Sequence, residues 1–360
     1  MTAVLEPLDG DTTDGAALDF ALPDELVATA PPEARGLDRD GVRLLVASRG
    51  DGGLVDATFA DLGDVLLPGD LLVVNTSATL PAAIPSRDHL LVHLSTQLPD
   101  GSWLVELRRP AGAGSLAYPH GHAGMALALP AGGSVELLAP QPRPGRAAEG
   151  RARLWVAQVR VPGELLEYLH RHGRPIRYGA QAGNWPLAAY QTVFADEAGS
   201  AEMPSAGRAF TPELVTDLVT RGIGISPILL HTGVSSQEAD EPPYAERYRV
   251  PAVTAQRVNT ARATGGRVIA VGTTVTRALE TTADANGVVH AGEGWTEHVV
   301  SVAGGVHAVD GIISGWHEPR ASHLALLEAI AGRELLQRSY LAALAGGYRW
   351  HEFGDLHLIV

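Results

Sequence analysis

The chain has 360 residues, 45% of them hydrophobic and 19% charged, and a formal net charge of −14. That length can bury a large core and suggests two domains, while the acidic balance argues against broad nucleic-acid binding and leaves room only for a local arginine patch. There is no cysteine, which excludes disulfides and thiolate chemistry, and all 27 basic residues are arginine, which excludes Schiff bases and a phosphate-loop lysine.

Residues 1–18, with Glu6, Asp9, Asp11 and Asp14 among Gly, Thr and Ala, read as a disordered acidic leader. No apolar run approaches membrane-spanning length and no basic-then-apolar segment opens the chain, so a cytoplasmic enzyme with no membrane partner is expected. Residues 66–161 read as strands at 70–74, 90–94, 103–107, 125–129, 134–138 and 154–159. Several alternate in polarity between Gly, Pro and Asp turns, which suggests a small antiparallel barrel or sandwich. The densest basic cluster, Arg143, Arg146, Arg151 and Arg153, reads as solvated loop charge.

From residue 162 the period changes to helical. Helices are expected at 162–170, 211–221, 254–264, 274–283, 321–331 and 334–345, with strands at 224–230, 267–271 and 311–314 between them. The alternation argues for a mostly parallel α/β sheet domain, formed by 19–65 and 162–360, carrying an inserted small antiparallel β-barrel-like domain at 66–161.

The stretch 267–280 is the most informative. Val268 to Val271 suit a strand buried on both faces, Gly272 ends it, and Thr273 or Thr274 is a plausible N-cap of the next helix. Such a turn aims backbone N–H groups and a helix dipole at one spot, where an anionic or strongly polar group can bind. On its own the pattern is also that of a plain connection. His120 with His122, and His170 with His172, lack further ligands at supportive spacing and read as loop histidines, so no metal is expected.

Several blocks recur together: Pro-Gly-Asp-Leu-Leu-Val-Val-Asn at 68–75 with Leu-Pro-Ala at 80–82, Tyr-Gln-Thr-Val-Phe at 190–194, and Pro-Ser-Ala-Gly at 204–207 with Phe210. They continue with Leu230-His231 and Gly233, the 267–280 stretch, and Trp-His-Glu-Pro at 316–319. Tyr-Arg-Trp at 348–350 and Phe-Gly-Asp at 353–355 close the series. In order and spacing these resemble the S-adenosylmethionine:tRNA ribosyltransferase-isomerase family of queuosine biosynthesis, from Asp19 to Val360.

The resemblance implies an α/β domain carrying a small β-barrel domain. It implies S-adenosylmethionine as a substrate whose ribosyl part is transferred to the aminomethyl group of a 7-deazaguanine base in tRNA, forming an epoxycyclopentane and releasing methionine and adenine. No metal or second cofactor is implied, because the sulfonium acidifies the C5′ hydrogens and then leaves. The protein must supply a general base, a proton for adenine and a cradle for a zwitterion.

Departures fall inside the family blocks. Thr76-Ser77-Ala78 replaces Thr-Arg after Asn75, Ala83 replaces an arginine, and Ala209 stands where the family has histidine, beside a new Arg208. Ser235-Ser236-Gln237 replaces Gly-Thr-Phe, residues 315–322 depart from the family block, and Tyr244 stands for a histidine in a loose alignment. They keep two other readings open: an enzyme that cleaves S-adenosylmethionine for a small-molecule acceptor, and a non-catalytic S-adenosylmethionine-binding protein. A small-acceptor enzyme would have a pocket plugged by Arg208, Trp316 or Arg320.

With the resemblance, His231 at a strand's C-terminal end, as base or as donor to the substrate, and His317 in a loop, whose neutral form can take the C5′ proton, are candidate catalytic groups. Glu246 is a third candidate, for a ribose hydroxyl or an ammonium. Arg277 is expected on the methionine carboxylate at a fork geometry lysine cannot match, although with Glu280 it also reads as an intrahelical ion pair. Asn75, Ser205, Gly207, Gly233, Gly272, Thr273, Thr274 and Glu280 complete the expected binding site. Tyr190 and Gln191 are expected at the adenine, against core packing as the other reading. Asp355 is expected on an amine or ribose hydroxyl, or merely stabilising a turn. A monomer is expected.

Overall fold

The computed structural model describes residues 18–141, 152–179, 183–234 and 244–360. In chain order its elements are β1 (Arg43–Ala47), β2 (Leu54–Thr58), α1 (Leu62–Val65), β3 (Leu71–Asn75), β4 (Ser77–Thr79), β5 (Ala83–Pro85) and β6 (Leu91–Gln97). Next come β7 (Trp103–Ala111), β8 (Gly114–Ala117), β9 (Ala126–Ala128), β10 (Ser134–Pro140), β11 (Leu154–Arg160), α2 (Leu165–His172), β12 (Glu197–Ser200) and α3 (Pro212–Thr220). The last are β13 (Gly224–Leu230), β14 (Glu246–Val250), α4 (Ala252–Ala263), β15 (Val268–Val271), α5 (Thr273–Thr282), β16 (Gly292–Thr296), β17 (Gly311–Gly315), α6 (Ser322–Ala331), α7 (Arg333–Ala345) and β18 (Leu356–Ile359).

Nine strands form one sheet in the order β16-β14-β13-β3-β15-β17-β18-β1-β2. Its centre, β13, β3, β15 and β17, is parallel, and β18 runs parallel to β1. The pairs β16–β14, β14–β13, β17–β18 and β1–β2 are antiparallel. The sheet is therefore mixed with a parallel centre, where a mostly parallel one was expected. The short link between β1 and β2 explains one antiparallel edge, since a tight turn cannot return a strand in parallel. One face packs against α4, α5, α6 and α7 through Val258, Val275, Leu279, Leu327 and Leu336. The other packs against α1 and α3 through Leu62, Leu214 and Leu218.

A second sheet has the order β5-β6-β7-β11-β10-β9, with β8 on β7, and every pairing in it is antiparallel. Alternate residues Val92, Leu94, Val105, Leu107, Val135 and Leu137 form its own core, joined by Tyr168 and Leu169 of α2. Two expected boundaries shift. Residues 70–74, assigned to the small module, form β3 at the centre of the large sheet, where a continuous apolar run can be buried on both faces. The helix after 162, assigned to the α/β part, packs on the smaller core instead. A short parallel pair, β4 with β12, lies between the sheets in sequence.

Leader residues 1–17, Arg143, Arg146 and Arg151, and the substitution at 235–237 lie outside the described residues. No described helix is long and apolar enough to cross a membrane. Among the described residues no group of three or more His, Asp or Glu could hold a metal ion.

Candidate active site

The parallel strands β13, β3, β15 and β17 end on one side of the large sheet, and the loops that follow them wall a cavity of about 690 Å³. Open α/β sheets form ligand sites at this edge, and the volume falls in the range that small-molecule pockets occupy. The smaller sheet contributes Ser95, Thr96, Arg108, Leu116 and Ala117 to the opposite wall.

At the floor, β15 runs into α5 through Gly272. This residue is the N-cap, with φ of 101°, a left-handed value that glycine adopts without a Cβ penalty. The expected N-cap, Thr273 or Thr274, is instead the first turn of the helix, and no side chain caps it. The leading N–H groups of α5 therefore stay available beside a cavity that Gly272, Thr273 and Thr274 all line.

Arg277 lies one turn further on and its partner is Glu246, at the start of β14, rather than Glu280. Its Nε also donates to the His298 carbonyl at 3.1 Å. The other oxygen of Glu246 accepts from the Gly233 N–H at 3.0 Å. Burial pushes the Glu246 carboxyl up, and Arg277 and the Gly233 N–H pull it back. Arg277, Glu246 and Gly233 all line the cavity, so both signs of charge face it at one place. Glu280 points elsewhere: its carboxylate accepts from the His307 and Ala308 N–H groups at 2.8–3.0 Å and ties down the loop before β17.

His317 follows β17 and also lines the cavity. Its Nε2 hydrogen-bonds with Ser314 Oγ at 2.8 Å, and its ring stacks on His323 at 4.5 Å with 4° between planes. The Trp350 indole donates to the His317 carbonyl, and the His317 N–H donates to the Tyr340 hydroxyl. Burial first, then the neighbouring His323, His357 and His351, hold the His317 imidazolium far below its ordinary pKa. His323 is lowered to about 4 by burial and by Arg277. His317 is therefore neutral near pH 7, the form that accepts a proton.

Tyr190 and Ser205 line the cavity as well, Tyr190 with its ring packed on Phe353 at 5.2 Å. The remaining expected residues do not. His231 hydrogen-bonds through Nδ1 with Ser77 Oγ at 2.7 Å and reaches Glu197 at 3.6 Å, and a Cβ on Gly199 would strike its imidazole. Its ring fills the gap between β12 and the end of β13. Asn75 joins β3 to β13, accepting from the Leu230 N–H at 3.0 Å and donating to the Leu230 carbonyl at 2.8 Å. Gln191 likewise pairs with both backbone groups of Thr79 at 2.9 and 2.8 Å. Gly207 is buried against Thr192 and Phe194. Asp355 accepts from the Arg43 and Arg349 N–H groups at 2.9 and 2.7 Å, the turn-stabilising reading.

Sequence reasoning passed over Glu202, Tyr178, His298, His323 and Glu352, which all line the cavity. The Tyr178 hydroxyl donates to Glu202 at 2.6 Å, and Arg108 lies over the Tyr178 ring at 4.8 Å. Of these, Glu202 and Glu352 had a signal, since each stands within two residues of a block that carries the resemblance. Arg208 is not a plug: it donates to Glu33 at 2.8 Å and to the Ala189 carbonyl at 3.0 Å, outside the cavity lining. Arg320 is exposed near Asp19; Trp316 does line the cavity, but its ring is packed into a buried aromatic group with Tyr340, Trp350 and His357.

Fold and cavity together define an α/β protein with a ligand-sized site at the C-terminal strand edge, a largely apolar wall that carries the Arg277–Glu246 pair and the neutral His317. Residues 16–359 match the family described as queuosine biosynthesis protein, and the chain belongs to that family. It is 36% identical over 360 residues to the S-adenosylmethionine:tRNA ribosyltransferase-isomerase of Moorella thermoacetica, covering 95% of this chain and 98% of that protein. It is 33% identical to the enzyme of the same name from Heliobacterium modesticaldum, covering 96% and 99%. Among solved structures, the S-adenosylmethionine tRNA ribosyltransferase of Thermotoga maritima aligns with a TM-score of 0.52 at 26% identity, covering 95% of this chain and 99% of that one.

Proposed function

We propose that this protein is an S-adenosylmethionine:tRNA ribosyltransferase-isomerase: it moves the ribosyl part of S-adenosylmethionine onto the aminomethyl group of a 7-deazaguanine base in tRNA, isomerises it and releases methionine and adenine. Full-length similarity to relatives of that name supports the reading. The observation that carries it is the single cavity in which Arg277, Glu246, His317 and the start of α5 converge. Arg277 and Glu246 suit the carboxylate and ammonium of the methionine end, and the first N–H groups of α5 suit its anionic part. Neutral His317, held by Ser314, is the base for the C5′ proton that the sulfonium acidifies. Tyr190, on the cavity wall, suits the adenine.

We further propose that the seven-stranded antiparallel sheet is a small barrel-like module inserted into the α/β domain, and that it helps to admit the tRNA base. Both substrates suit a cytoplasmic location. Incubating the purified protein with S-adenosylmethionine, with and without tRNA carrying the aminomethyl-deazaguanine, tests the function. Adenine and methionine are expected only with that tRNA. Their release without tRNA supports a small acceptor or elimination, and binding without release supports a non-catalytic protein.

A further inference from the structure

Glu352 stands on a turn that the fold holds tightly. Trp350 exchanges backbone hydrogen bonds with Leu26 and Ala28 at 2.8 and 2.9 Å, Asp355 accepts from Arg349, and Gly354 donates to the His351 carbonyl at 2.9 Å. Between these anchors His351 takes a φ of 80°, a conformation that costs a non-glycine residue and is kept where the surroundings enforce it. The turn brings both His351 and Glu352 to the cavity wall. It also borders the niche of Arg208 and Ala209, the position where the family pattern carries histidine.

The Glu352 carboxyl has no hydrogen-bond or ion-pair partner among the described residues. Other carboxylates of this region do: Glu246 has Arg277, Glu33 has Arg208 and Arg39, and Glu202 has Tyr178. The residue is only partly buried, so water solvates its carboxylate in the free protein; a ligand that fills the cavity displaces that water and must offer a cation in its place. Two primary ammonium groups enter this site under the proposed function. The one on the methionine end travels with a carboxylate, and Arg277 with Glu246 offers both signs to match it. The aminomethyl group of the acceptor base is a cation alone, and Glu352 is a carboxyl alone.

We propose, resting on the function given above, that Glu352 is the acceptor-side base: it holds the aminomethyl ammonium and removes the proton that masks the nucleophile. One N–H bond of the ammonium breaks, its electron pair stays on nitrogen, and the proton passes to a Glu352 oxygen. The freed pair is the nucleophile for ribosyl transfer, and the carboxyl returns its proton to solvent when the product leaves. The pKa suits the task. Burial raises Glu352 to about 7, with Glu202, another carboxylate of the cavity lining, adding to the rise and His351 on its own turn and Arg208 opposing it. The carboxylate is thus the abundant form just above neutrality and the group still binds a proton well enough to take one.

The test is steady-state kinetics with S-adenosylmethionine and the aminomethyl-deazaguanine tRNA, across pH 5.5–9 (~), for wild type, Glu352→Gln and Glu352→Asp, with S-adenosylmethionine affinity measured by calorimetry. Glu352→Gln is expected to lose about 100-fold in kcat/KM for the tRNA and to lose the rise of rate through neutrality, with S-adenosylmethionine affinity unchanged. Glu352→Asp, which keeps a carboxyl, is expected to retain part of the rate and a pH-dependent limb. Circular dichroism melts of both variants at the wild-type midpoint confirm that folding is intact. Full activity of Glu352→Gln with the wild-type pH limb overturns the inference alone, as does a loss confined to S-adenosylmethionine affinity. A wild type that releases nothing with this tRNA overturns the proposed function, and the inference with it.

Discussion

His317 and His231 are alike in their nearest contacts, and they belong to different parts of the molecule. Each half-buried ring hydrogen-bonds with a serine hydroxyl, Ser314 for one and Ser77 for the other, and burial lowers both pKa values. Around His317 stand a cavity of about 690 Å³, the stacked His323 and, on the same wall, the Arg277–Glu246 pair. Around His231 stand Glu197, Gly199 and Ser77, which leave its ring as filling between two elements. A histidine tuned to be neutral becomes a base only where a substrate can reach it. The serine partner and the depressed pKa are shared, so they do not separate the roles; the space beside the ring does.

The largest effect expected from this contrast is on His317. His317→Ala is expected to lower turnover by about 10²- to 10⁴-fold, the range general-base removal usually gives, with S-adenosylmethionine binding retained. Single-turnover release of adenine, with calorimetry for binding, measures both. Next comes the ion pair. Glu246→Ala leaves Arg277 charged and buried without its carboxylate, which is expected to cost about 3–5 kcal/mol of stability as well as S-adenosylmethionine affinity. Denaturant unfolding of the free protein reads the first quantity and calorimetry the second. His231→Ala is expected to cost about 1–3 kcal/mol, from the lost hydrogen bond to Ser77, which keeps Ser200 at 2.6 Å, and from the space left beside Gly199, with turnover preserved.

The smallest effect is on pH. His323 and His357 have folded-state pKa values of about 4 and about 3, below the ordinary histidine value. The unfolded chain therefore binds more protons as pH falls below about 6.5, and stability is lost from there down towards the folded values. Melting temperatures between about pH 7 and pH 4 check the sign, and a rise on acidification would contradict it.

Much of this was legible from residue pattern. The run Val268 to Val271, then Gly272, announced a strand and a helix start, and the structure keeps both while moving the cap by one residue onto glycine. The helices at 321–331 and 334–345 were visible from their spacing and appear as α6 and α7. β14 was not, because Glu246-Arg-Tyr-Arg-Val250 is a charged strand near the sheet's edge in which only Tyr248 and Val250 face the core. For the site, the strand-end positions of Gly272 and His317 follow from alternation of elements, and both reach the cavity. Arg277 and Glu280 share a helix face, yet their partners come from the start of β14 and from the loop before β17, and no local spacing reveals those. Asn75, Gln191 and Asp355 show the same limit. A polar residue at a strand end or turn can satisfy backbone groups as well as a ligand, and only the closed hydrogen bonds to Leu230, Thr79 and Arg43 separate the two.

The central claim is that proton removal at C5′ happens in the cavity beside His317. The most direct measurement is incorporation of solvent deuterium at C5′ of S-adenosylmethionine, followed by mass spectrometry for wild type, His317→Ala and His231→Ala in the presence of the aminomethyl-deazaguanine tRNA. Deuterium uptake, or product formed with C5′ label, is predicted for wild type and His231→Ala and is predicted to vanish in His317→Ala. Loss of uptake in His231→Ala with His317→Ala still exchanging would place the base just after β13 and contradict the account.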